Sequence, residues 1–97
     1  MKFHLASTET VYTSPETTIH ETCTDALSAF VDIVADIMST DMRDLHKNGN
    51  DVEIDIRIRS TVVIDDHDEP KLIKFMMTDY TCSHKSFDLA TITRVDD

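Results

Sequence analysis

The chain has 97 residues with 40% hydrophobic content, two prolines and one glycine. That is enough for one folded domain over residues 1–97, too little for two, and inconsistent with wholesale disorder. Nineteen acidic side chains against nine basic ones give a net charge of −10. This argues against direct nucleic-acid or anionic-membrane binding and favours encounter with basic protein surfaces. The acid is spread over both halves of the chain, and most of it is aspartate, whose short side chain holds charge close to the backbone.

Lys2 to Thr13 alternates, with Phe3, Leu5 and Val11 on one parity and Lys2, His4 and Thr10 on the other. This is the pattern of a half-buried strand, with an interruption expected around Ser7 to Glu9. Ser14 to Cys23 is threonine-rich and reads as a connector, in which Ser14 and Pro15 can cap one short helical turn.

Thr24 to Lys47 reads as the long helix, opened by a Thr22-x-x-Asp25 capping arrangement and stopped at Gly49. Leu27, Phe30, Ile33, Val34, Ile37, Met38 and Leu45 recur at three- and four-residue spacing and are expected to face the core, with Asp32, Asp36 and Arg43 outward.

Asp51 to Ile64 is a strand with Val52, Ile54, Ile56, Ile58, Val62 and Ile64 on one side and Ser60 marking a bend or bulge. Asp65 to Pro70 is the loop of a hairpin whose second arm, Lys71 to Cys82, is apolar on both parities. Ile73, Phe75 and Met77 share one parity; Leu72, Met76 and Tyr80 share the other. Such a strand calls for cover on both faces, by the N-terminal segment or by a second copy. Phe87 to Val95 is the last strand, again apolar on both parities. The expected fold is α+β: two layers, one long helix on an antiparallel sheet of about four strands, in the order β-α-β-β-β.

No metal, cofactor or catalytic motif stands out. Asp65, Asp66, His67, Asp68 and Glu69 carry ligand-type side chains, but contiguous residues rarely converge on one ion, and calcium-loop spacing is missing. Cys23, near a helix start, is the only suggestion of a nucleophile; a small buried thiol explains it as well. With two cysteines and an N-terminus lacking an apolar signal region, the expectation is a cytoplasmic protein, in the host cytoplasm if virus-encoded.

The remaining signal is the acid itself: Asp32 and Asp36 on the helix, Glu53 and Asp55 on the long strand, and Asp65, Asp66, Asp68 and Glu69 at the hairpin tip. Fixed negative charges of this kind can occupy a lysine- and arginine-lined channel in place of a nucleic acid. In size and charge the chain is similar in type to anti-restriction, anti-CRISPR and nuclease-immunity proteins, although no residue matches a family signature. The leading expectation is a non-enzymatic, protein-binding inhibitor directed at the basic surface of a nucleic-acid-processing protein. The alternatives are a homodimer that binds a small nucleotide signal, with Leu72, Met76 and Tyr80 as its dimer face, and a small metal-dependent or cysteine enzyme.

Overall fold

The computed structural model of the chain describes residues 1–10, 14–46, 53–80 and 85–96, apart from the side chains at 41 and 44–46. Its elements are β1 (Lys2–Ser7), β2 (Glu16–His20), α1 (Cys23–His46), β3 (Ile56–Ile64), β4 (Pro70–Asp79) and β5 (Ser86–Val95). The strands form one five-stranded sheet in the order β2-β1-β5-β4-β3, with every neighbouring pair antiparallel. The class is α+β as expected. The sheet has five strands rather than four, in the order β-β-α-β-β-β.

The additional strand is β2, in the segment expected to be a connector with a helical turn. Threonine favours the pleated, half-buried surface of a sheet. Here Thr18 lies opposite Leu5 and Glu16 opposite Ser7, while the Glu16 N–H donates to Ser7 Oγ at 3.1 Å. Ile19, the one large apolar residue of β2, faces the exposed side, so no inward apolar pattern marked the strand. The N-terminal segment therefore widens the sheet and does not fold across its open face.

α1 begins where its cap places it: Thr22 Oγ1 accepts from the Asp25 N–H at 3.1 Å. The expected stop at Gly49 lies outside the described residues. The core-facing stripe is narrower than the periodicity implied. Ala26, Phe30 and Ile37 are buried, whereas Leu27 and Met38 are exposed together with Val31 and Met42. The helix backbone approaches β1 and β2, and Phe30 reaches β4 by stacking on Phe75 with ring centroids 3.8 Å apart. Its opposite flank, with Leu27, Val31, Met38 and Met42, is exposed.

The core lies between α1 and the face formed by Phe3, Leu5, Ile73, Phe75, Met77, Ala90 and Ile92. Cross-strand partners share a face, so Ile58 opposite Met77 and Val62 opposite Ile73 point to the helix side as well. Both are exposed, because β3 is the edge strand farthest from the helix.

The two-sided apolar pattern of the last strand has a simple cause. A register shift between Phe75 and Met76 lets Phe87 pair with Met77 and Ala90 with Phe75. The extra residue of this bulge moves the inward face of β5 from odd to even positions. In β3 the irregularity falls between Val63 and Ile64, not at Ser60.

Candidate functional site

Between α1 and the β2 edge runs a groove of about 180 Å³. Its floor is Leu5, Ala29 and Ile33, and its rim carries Glu16, Asp32 and Asp36, with hydroxyls from Ser7 and Thr18. The pairings Leu5 with Thr18 and Ser7 with Glu16 put all four strand residues on the helix side. On α1, Ala29, Asp32, Ile33 and Asp36 are separated by three or four residues and so share one flank. Asp32 and Asp36 are a like-charged i,i+4 pair, an arrangement that costs a few tenths of a kcal/mol on an isolated helix. A cation between them and Glu16 removes that cost. The groove thus has an apolar base and an anionic rim, which suits a lysine or arginine whose stem packs while its head meets carboxylates.

The other predicted acidic residues lie elsewhere. Glu53 and Asp55 precede β3, at the opposite edge of the sheet from β2. Asp55 pairs with Arg57 at 3.3 Å, and its carbonyl accepts the Tyr80 N–H at 2.8 Å.

At the hairpin tip Asp65 organises the turn. One carboxylate oxygen accepts from the N–H groups of His67 and Glu69, at 2.8 and 3.1 Å. The other accepts from Arg94 at 2.7 Å, within a pair whose side chains are 17% and 8% exposed. Asp65 is therefore engaged inside the chain, while Asp66, Asp68 and Glu69 are exposed. Asp68 adopts a positive φ of 61°, a conformation that Asp tolerates better than most residues.

The Arg94 hydrogen bond, joined by the two backbone donors, holds Asp65 down to about 2. An acid lowered from about 3.9 in the unfolded chain stabilises the fold above that value and loses the contribution as pH falls through about 2. Acid titration of Asp65→Asn should accordingly lack the part of the stability decline between about pH 4 and 2 that the parent shows. Parallel declines would remove Asp65 from the turn's electrostatics.

Leu72, Met76 and Tyr80 lie on the sheet's open face; Leu72 is half-buried and the other two are exposed. They alternate there with Arg59, Lys74 and Thr78 and make no continuous apolar patch.

Cys23 is half-buried, and desolvation pushes its thiol up, the opposite of what activates a nucleophile. His20 Nε2 lies 2.7 Å from Thr18 Oγ1. Among the described residues no three His, Cys, Asp or Glu side chains are placed to hold a metal ion, and no helix is long and apolar enough to cross a membrane.

Of the eight acidic residues singled out from sequence, the structure brings together Asp32 and Asp36, and it adds Glu16. Glu16 carried no signal in the sequence, because it lies in the threonine-rich segment that reads as a connector. Compared with protein-family models, curated proteins and solved structures, the chain has no match.

Proposed function

We propose that this chain is a protein-binding module that blocks a nucleic-acid-processing protein by docking on its basic surface, with the groove between α1 and β2 as the centre of contact. The observation carrying this reading is the groove itself, where Glu16, Asp32 and Asp36 rim the apolar floor of Leu5, Ala29 and Ile33. Among the described residues no basic side chain lines it. A carboxylate rim over an apolar floor suits long cationic side chains, whose stems pack on the floor while their heads make charge-assisted hydrogen bonds to the carboxylates. The surplus negative charge of the whole chain adds long-range attraction to such a partner.

The test is capture of partners from a cell lysate on the immobilised chain at low salt, followed by a rising salt gradient. A basic nucleic-acid-processing protein should elute in the gradient, and its activity should fall on adding the free chain. Retention that ignores salt would count against the reading, because exposed charge pairs are screened over about 8 Å at physiological ionic strength.

A homodimer is the second reading. The exposed flank Leu27, Val31, Met38 and Met42 supports it better than Leu72, Met76 and Tyr80, which are interrupted by cations. Sedimentation equilibrium at micromolar concentration distinguishes the two states, and a monomer removes this reading.

A further inference from the structure

The net charge of −10 conceals a segregation. The face of the sheet turned away from α1 carries Lys2, Arg57, Arg59 and Lys74, whereas Asp88 is its only acid among the described strand residues. Three of these cations gather on β3 and β4. Arg57 lies opposite Thr78 and Arg59 opposite Met76, while Lys74, opposite Thr61, is the diagonal neighbour of Arg59. Same-face neighbours along a strand stand about 7 Å apart, so one anion can reach more than one of them.

At this end of the face lies a pocket of about 360 Å³ whose lining includes Arg57, Arg59, Met76, Thr78, Tyr80 and Ser86. The Arg57 guanidinium sits over the Tyr80 ring, 4.5 Å from its centroid, and Asp55 steadies it at 3.3 Å. That ion pair is largely exposed, so it orients Arg57 without consuming its charge. Arg59 has no ionic partner among the described residues. Thr78 Oγ1 and Ser86 Oγ lie 2.6 Å apart at the pocket wall, a hydroxyl pair able to donate to or accept from a ligand.

We propose that this pocket binds a small phosphorylated ligand of nucleotide size. Arg57 and Arg59 hold the phosphate, Met76 and Tyr80 pack the non-polar part, and Thr78 and Ser86 supply hydrogen bonds. Guanidinium forks match phosphate oxygens in geometry and charge, and the volume lies in the range of small-molecule sites. The charge distribution decides between a small ligand and a polymer. Within the screening length of about 8 Å, a ligand with one or two phosphates is governed by the local cations. A nucleic-acid strand extends past them into the field of a chain with ten surplus negative charges and is repelled. This site is on the opposite face of the sheet from the acidic groove and stands independently of the function proposed for that groove.

The experiment is titration of the full chain with pyrophosphate, adenosine diphosphate, a short oligothymidylate and an acidic peptide, followed by amide NMR and calorimetry. Adenosine diphosphate should bind saturably and more tightly than pyrophosphate, shifting the amides of Arg57, Arg59, Thr78 and Ser86. Arg59→Gln should weaken it by about tenfold or more, as expected for loss of a charged hydrogen-bond donor, and Arg59→Lys should fall between the two. Both substitutions are at an exposed position, and the amide spectrum of each variant verifies its fold. Asp32→Asn, in the groove, should leave nucleotide affinity unchanged. Absence of saturable shifts, wild-type affinity in folded Arg59→Gln, or tighter binding of the oligothymidylate or the acidic peptide would each overturn the proposal.

Discussion

Phe30→Ala is expected to lower the unfolding free energy by about 3–5 kcal/mol, the usual cost of removing a buried phenyl ring from a close-packed core. Phe30 is 6% exposed, and its stack on Phe75 ties α1 to β4, beyond the strands that the helix backbone approaches. The substitution removes transfer energy and the aromatic pair together and leaves a cavity between the layers. Small domains are stable by only about 5–15 kcal/mol, so the loss is a large fraction of the total. Urea unfolding followed by circular dichroism should show the midpoint falling steeply. The neighbouring Val31→Ala, at a position 61% exposed, should change stability by less than about 0.5 kcal/mol. Equal effects at the two positions would mean that the helix does not rest on the sheet by this face.

The second large effect is expected in binding. In the double variant Asp32→Asn, Asp36→Asn, affinity for the proposed basic partner should fall by roughly a hundredfold, since close charge pairs across an interface contribute on the order of 1.5 kcal/mol or more each. The slope of log affinity against log salt should flatten at the same time. Asp66→Asn with Asp68→Asn at the hairpin tip removes the same formal charge from an exposed loop. It should slow association modestly while leaving dissociation nearly unchanged, as rim charges do. The comparison separates the groove from the overall field of the chain, because both double variants shift net charge equally. Equal loss in the two would reduce the groove to one part of a diffuse acidic surface.

These effects share a geometrical origin in the offset of α1 toward the β2 edge. The offset closes the groove on one flank of the helix. It leaves the other flank, with Val31, Met38 and Met42, and the helix-side residues Ile58, Val62 and Ile64 of β3 uncovered. The opposite face of the sheet remains open and collects the arginines of β3. One helix on five strands thus yields surfaces of different chemistry: an anionic groove, an apolar flank and a cationic face.

Local features were legible from the residues alone. The Thr22 cap, the long helix, the inward parity of Ile56, Ile58 and Val62, and the hairpin loop after Ile64 all depend on neighbours within a few positions, where periodicity and capping chemistry act. Asp32 and Asp36 could be paired for the same reason, since helical spacing alone puts them on one flank. Other features depended on distant contacts. β2 exists because Ser7 and Leu5 offer it a partner. Leu27 and Met38 are exposed because a five-stranded sheet has its helix at one side, and Phe87 and Ile92 face the same way because of a bulge set by β4. Glu16 joins the groove, and Asp65 leaves the candidate surface for Arg94, through pairings between residues 9 to 29 positions apart. For α1, β1, β3, β4 and β5, helix and strand type follow from short-range sterics and hydrophobic period. Which face is covered, and which carboxylate stays available, follows from strand order and helix placement, for which a single sequence carries no local signal.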